Sequence, residues 1–365
     1  MTACNMRDRA SDPDTAEGAT VHNGVVAYVE FLAGLQYVGP QGSTASPPPQ
    51  IKGPDALEVS FLDWSPDGRH LAYVDGDFFL GHSSIAVVDV ETGETQRLTS
   101  GSLDASPVWS PDGRRIAFFR FSRGAAALWV MDGNGSHARA VTSPDERPWQ
   151  PFPDPTVFPT PEVIDPGTVV RGIAWSPDSE RIAFAVDPFG GQPEVRIVSL
   201  DGEAESTTLE GSYPTWSPDG TRLCLAQRTP SGTRLVTISS DGTLQEAITD
   251  GSATHTMPRW SPDGASILYV SDEEGPAGKL ELWVIGSDGS EPKQITSDAT
   301  ELSGHNPWEL YPSWSPDGSM IVYLDQIFGG GAVDEWVSVV SPNGGPTEKL
   351  TQSESEWPAW QPIPV

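Results

Sequence analysis

The chain has 365 residues, 51 acidic against 21 basic, giving a formal charge of -30, with 37 glycines and 35 prolines. No stretch approaches the ~18 consecutive apolar residues of a membrane-spanning helix, so no transmembrane segment is predicted. The charge repels nucleic acid phosphate and argues against it as a partner; it leaves cationic partners, divalent ions or plain solubility as its uses.

Residues 1–20 are polar and show no alternation, and they are read as a disordered tail before a single domain over 21–365. The start, Met1-Thr2-Ala3-Cys4, lacks the basic region and apolar core of a secretory signal. Thr2-Ala3-Cys4 nevertheless looks like the end of a bacterial lipoprotein cleavage box. With a true start upstream, Cys4 is the lipidated residue and the protein sits in the cell envelope, periplasmic or on the outer surface; as written, the expectation is cytoplasmic. Cys4 and Cys224 are the two cysteines, so no disulfide framework is indicated, and Cys224, within Leu223-Cys224-Leu225, reads as a small core residue.

After the tail come three strand-like runs: 25–29 (Val-Val-Ala-Tyr-Val), 35–38 (Leu-Gln-Tyr-Val) and 49–51 (Pro-Gln-Ile). From there a repeat governs the chain. Trp-Ser-Pro-Asp begins at Trp64, Trp109, Trp175, Trp216, Trp260 and Trp314, and a degenerate copy, Trp360-Gln361-Pro362, ends it. Intervals of roughly 40–65 residues match a four-stranded propeller blade, whereas helical repeats of that length need long 3.6-residue patterns that are absent. In the copy at Trp109, Ser110-Pro111-Asp112-Gly113 precedes strand b (115–119), then c (128–131), Asp132-Gly133 and d (139–142), with the tryptophan ending strand a. Ser-Pro-Asp-Gly suits a type I turn: proline presets φ, aspartate bonds nearby amides and glycine accepts φ > 0. The six aspartates are therefore read as structural, since one active site does not need six acids. Ser179 stands where the other copies have glycine, and strain is expected there.

Counting from Trp64 gives six full blades and a partial one at each end. The runs at 25–29, 35–38 and 49–51 supply strands b, c and d of a seventh, and 357–362 supplies its strand a. The predicted fold is all-β: a single propeller of seven four-stranded blades, six being the alternative, closed by strands from both termini with no open edge. A monomer is expected.

The pattern Pro-x-Trp-Ser-Pro-Asp-Gly, Ile-Ala-Phe, an aromatic-Val strand, Asp-Gly and a final Thr, seen at 107–142 and 258–296, resembles the repeat of the TolB-like, WD40-like propeller family. The resemblance spans about residues 23–362. Similar blades occur in the envelope protein TolB, in the lids of prolyl-oligopeptidase-like enzymes, in tricorn-type proteases and in oligogalacturonide lyases, so it implies fold more sharply than function. A hydrolase domain with a Gly-x-Ser-x-Gly elbow is absent, and only a short tail stands where TolB carries an N-terminal α/β domain.

Strand direction places the b-to-c and d-to-a connections on one face, and the a-to-b and c-to-d turns on the other. Length variation is expected on the first face: 75–84, 143–172, 187–194, 272–279, 297–311 and 325–335. These segments carry Phe78, Phe79, Trp149, Phe152, Phe158, Phe189, Trp308 and Phe328, and 148–166 is proline-dense, suiting a stiff extended segment that plugs or covers the channel. Irregular aromatic loops on a rigid scaffold build binding sites, so Phe79, His82, Trp149, Phe152, Phe189, His255, His305, Trp308 and Phe328 are the candidate ligand contacts.

His255 and His305 precede strand-a tryptophans, an arrangement loosely similar to the channel histidines of oligogalacturonide lyases. With Asp325 or Asp75 they form a candidate divalent-metal site. The leading expectation is a non-enzymatic propeller, without cofactor, that binds a protein, peptide or small ligand at the channel mouth in the bacterial envelope. The alternative is a single-domain lyase or hydrolase using His255, His305 and a divalent metal.

Overall fold

A computed structural model describes residues 21–30, 34–39, 59–76, 82–100, 103–122, 125–143, 172–186, 193–200, 207–273, 280–296, 311–329, 332–351 and 355–364. These residues form seven antiparallel meander sheets arranged as a seven-bladed propeller. Blades 1 to 6 each have four described strands and span 59–97, 103–140, 173–210, 212–247, 255–294 and 313–349. Blade 7 joins the two ends of the chain. Ser355–Pro364 is its strand a, Val21–Glu30 its strand b and Gly34–Val38 its strand c, with Val26 opposite Trp360 and Ala27 opposite Ala359. The strand d expected at 49–51 and the tail 1–20 lie outside the described residues.

Each blade packs both faces against neighbours, which explains why the central strands read as unbroken apolar runs. Leu71, Ala72, Tyr73 and Val74 are all buried, as are Ile116, Ala117, Phe118 and Phe119. Cys224 is fully buried in such a run, and burial pushes its thiol far up, so it is an inert core residue. The outer strands are short, only Thr95–Arg97, Arg139–Ala140 and Lys293–Gln294 in blades 1, 2 and 5, which blunts the outer edges.

The Trp-Ser-Pro-Asp-Gly motif makes two sets of contacts. Within the blade, the glycine N–H donates to the serine carbonyl, as in Gly113 to Ser110 at 2.8 Å. The aspartate accepts from the serine hydroxyl and from the amide two residues on, and the serine hydroxyl accepts from the amide five residues on. The same turn recurs in all six copies, so the aspartates are structural. Ser179 holds φ +60° where its glycine counterparts hold +68° to +73°, so the expected strain is present. Its hydroxyl accepts from the Asp112 N–H at 3.1 Å, which offsets part of it.

Between blades, four of the seven tryptophan indoles donate to the carbonyl just before the previous blade's tryptophan, while those of Trp109, Trp260 and Trp360 have no hydrogen-bond partner among the described residues. Trp64 donates to Ala359, Trp175 to Val108, Trp216 to Ala174 and Trp314 to Arg259, all at 3.1 Å. The residue six positions after the tryptophan then lies over the next blade's indole: Arg115 over Trp175, Arg181 over Trp216 and Arg222 over Trp260 at 5.6, 4.6 and 4.8 Å. The threonine that ends the repeat in blades 1, 2, 4, 5 and 6 has a role too. Its hydroxyl accepts the strand-c amide that the short strand d leaves open, as in Thr99 with Ile85, Thr249 with Leu235 and Thr351 with Val337.

Strand a bends at the third residue before its tryptophan. Phe61, Ser106, Tyr213, Met257 and Tyr311 all have positive φ, and the pairing register shifts there in blades 1, 2, 4 and 5. A non-glycine residue in this region costs on the order of 1 kcal/mol. Because the bend recurs around the ring, it belongs to the scaffold.

Candidate functional site

The two faces of the ring differ in kind. On one, every a-to-b connection of blades 1 to 6 is the same self-satisfied turn. Its carboxylates are already committed: the Ser217 hydroxyl and the Thr221 amide hold Asp219 down to about 2, and the Ser261 hydroxyl and Ala265 amide lower Asp263 in the same way. On the other face the connections do not repeat.

On this second face the b-to-c connections alternate. Blades 2, 4 and 6 extend long hairpins, Arg115–Ser122 with Ala125–Asp132, Arg222–Thr229 with Gly232–Ser239 and Ile321–Gly329 with Ala332–Val340. In blades 1, 3 and 5 strand b stops sooner, at Asp75, Val186 and Ser271. The loop expected over 325–335 is thus a correction. Asp325 pairs with Trp336, Phe328 with Val333 and Gly329 with Ala332 within a regular ladder. Between blades 2 and 3, Phe119, Leu128, Phe184 and Val186 line a small cleft that Thr142, Ser143 and Arg196 also border.

Of the candidate contacts, Phe79, Trp149, Phe152, Phe189, His305 and Trp308 lie outside the described residues, as does Cys4. His82 is exposed at the start of strand c in blade 1. His255 is 1% exposed, and its position differs from the channel-facing one expected. Its ring sits in the seam between blades 4 and 5, edge-on to Tyr269, with Nδ1 2.9 Å from the Thr233 carbonyl oxygen and Nε2 3.4 Å from Glu273. No group of three or more metal-ligating side chains comes together among the described residues.

Sequence reasoning missed Asp104, Glu281 and Asp63, and it named Asp75 only as a metal candidate. Asp104, fully buried at the equivalent position of blade 2, accepts two bonds from the Arg120 guanidinium at 2.7 and 2.9 Å, and that guanidinium lies 4.3 Å over Trp129. Asp75 is held by Arg97, and Glu281 accepts from the Thr296 hydroxyl at 2.6 Å. In the channel wall, Asp63 accepts the Trp109 backbone N–H at 2.6 Å; burial raises its carboxyl to about 7, that bond lowering it only in part. Aligning the seven copies on their tryptophans reveals Asp63, since it is the one acid at its position.

This geometry defines a closed, seven-bladed scaffold with one uniform and one variable face. The TolB beta propeller domain family matches residues 165–364, more than half of the chain, and the chain belongs to that family. Among relatives, an uncharacterised protein of Agrobacterium fabrum, Atu1656, is 23% identical over 298 residues, covering 77% of this chain and 89% of its own. The Tol-Pal system protein TolB of Francisella tularensis is 24% identical over 271 residues, 71% of this chain and 54% of TolB. The peptidase YuxL of Bacillus subtilis is 31% identical over 129 residues, 33% of this chain and 18% of YuxL, so this chain matches under a fifth of that enzyme's length. Among solved structures, TolB from Acinetobacter baumannii superposes with a TM-score of 0.55 at 19% identity, covering 81% of this chain and 67% of that one. An oligogalacturonate lyase in complex with manganese gives 0.56 at 19% identity over 79% and 75%. At these identities the likeness shows the fold alone.

Proposed function

We propose that this protein is a non-enzymatic binding propeller of the bacterial envelope that grips a protein segment, peptide or small ligand on its variable face, at the mouth of the channel. The observation that carries this reading is the inequality of the faces. One is built from a single turn whose hydrogen-bonding groups satisfy each other, and the other carries connections that differ from blade to blade, with long b-to-c hairpins in blades 2, 4 and 6. Leu244 is the single large hydrophobic side chain exposed among the described residues, so the body of the propeller offers no apolar patch that competes with those connections. Membership of the TolB family supports the envelope location and a protein or peptide as partner.

The test is a pull-down and titration against envelope extract and peptide arrays with two sets of variants. Trp149→Ala or Trp308→Ala is expected to weaken binding by roughly 1 kcal/mol or more, as truncation of an aromatic anchor does. Asp241→Asn, on the uniform face, is expected to leave it unchanged. A defect confined to uniform-face variants overturns the assignment.

A further inference from the structure

The seven copies of the repeat act as controls for one another. The residue before each tryptophan is Asp63, Val108, Ala174, Thr215, Arg259, Ser313 and Ala359, going round the ring from blade 1. All seven are partly exposed, and they sit on the strands that meet neighbour to neighbour around the axis. They form one level of the channel wall. Five are neutral, and the two charged ones stand on blades 1 and 5, as far apart as a ring of seven permits.

The fold does not require a carboxylate at this level, since valine or alanine serves in blades 2, 3 and 7. Nor is Asp63 matched as the buried carboxylates of neighbouring strands are. Asp104 has Arg120, Asp75 has Arg97 and Glu281 has the Thr296 hydroxyl, whereas Asp63 has, among the described residues, a single backbone N–H, from Trp109. A carboxylate drawn out of water without a counter-charge recovers its lost solvation when a cation arrives, and a narrow low-dielectric wall concentrates that attraction. The elevated Asp63 carboxyl is consistent with the same isolation.

We propose that the central channel binds a primary ammonium group, held by the Asp63 carboxylate. The lysine side chain or amino terminus of a peptide and a small free amine share this chemistry. The inference rests on the preceding reading only in taking the channel mouth as the way in.

Calorimetric titration with butylammonium chloride, and separately with acetyl-Gly-Lys-Gly amide, tests it at an ionic strength of about 0.15 M, where surface attraction is largely screened. Wild type and the turn variant Asp317→Asn are expected to show saturable one-to-one binding. Asp63→Asn and Asp63→Ala are expected to bind at least roughly tenfold more weakly, as loss of a desolvated charge partner implies. Alanine at this level in blades 3 and 7 indicates that the second variant folds. Binding by the amine alone identifies a small-molecule site, and binding by both probes a site open to peptides. Equal affinity in the Asp63 variants, or heat in wild type that never saturates and tracks ionic strength, overturns the proposal by assigning the effect to the acidic surface. Loss of partner binding in Trp149→Ala with butylammonium binding intact separates the two readings.

Discussion

The interfaces from blade 1 to blade 5 and those that complete the ring are held differently. In the first set a side chain from one blade lies over the next blade's tryptophan: His70 near Trp109 at 6.2 Å, then Arg115, Arg181 and Arg222. Each arginine also donates to a backbone carbonyl across the seam, Ser179, Ser240 and Ser287 respectively. In blades 5 and 6 the same position is Ser266 and Met320, which have no charge to place over Trp314 or Trp360. There the ring relies on the ladder between Val21–Glu30 and Ser355–Pro364 and on Gln361, which accepts from the Val25 N–H and donates to the Gly68 carbonyl. The difference teaches that the seams from blade 1 to blade 5 are latched by side chains over the tryptophan, while blade 7 is held together by the backbone ladder between its two terminal strands.

The largest effect follows from cutting the backbone join. Deleting 356–365 removes the innermost strand of blade 7 and the acceptor of the Trp64 indole, and the melting temperature is expected to fall by on the order of 10 °C or more. Deleting 1–20 is expected to change it little. Equal melting of full-length and C-terminally trimmed protein breaks the comparison.

Next is the latch. Arg222→Ala is expected to lose about 1–2 kcal/mol in denaturant unfolding, from the cation–π contact together with the bond to Ser287. The converse change sharpens the point: Ser266→Arg should gain a few tenths of a kcal/mol by supplying a latch over Trp314.

Two aspartates predict opposite pH behaviour. Asp63 is raised to about 7 in the folded protein, so its penalty is absent below the ordinary carboxylate range and grows as pH rises through about 7. Asp63→Asn should therefore match wild type near pH 4 and be more stable at pH 8, by about 1 kcal/mol or more. Asp219 is lowered to about 2, so its contribution is present above the ordinary carboxylate range and is lost as pH falls through about 2. Asp219→Asn should be less stable at pH 7 by about 0.5–1 kcal/mol, discounted for its exposure, with the gap closing in acid. Parallel unfolding curves across pH 3–8 check both.

The effect of Ser179→Gly is a balance of two opposed terms. Relief of the positive φ is opposed by loss of the bond to the Asp112 N–H, and the net change should stay within about 1 kcal/mol.

The repeat made much of the fold legible. Blade number, the serine-aspartate turn, the strain at Ser179, the buried Cys224 and the closure by both termini all follow from Trp-Ser-Pro-Asp and its spacing. The hairpin at 321–340 did not, because Asp325 and the glycines at 329–331 look like strand breakers to a local reading, and pairing across the turn overrides that preference. The variable face was legible as a location and less so in its parts. His255 occupies a position that sequence aims at the channel, yet contacts with Thr233 and Tyr269, both remote in sequence, turn its ring into a seam. The arginine latches needed the three-dimensional stagger of neighbouring blades. Asp63 needed only a comparison of the copies at their least regular position.

The indole of Trp64 donates to Ala359, 295 residues further along the chain. At ordinary synthesis rates that separation corresponds to on the order of tens of seconds between the appearance of donor and acceptor on the ribosome. Throughout that interval the inner edge of blade 1 has no partner, and five strained bends in the innermost strands have no closed ring to hold them. Birth of this molecule is thus a waiting problem: its first blades must be kept from pairing with other chains until the strand Ser355–Pro364 arrives.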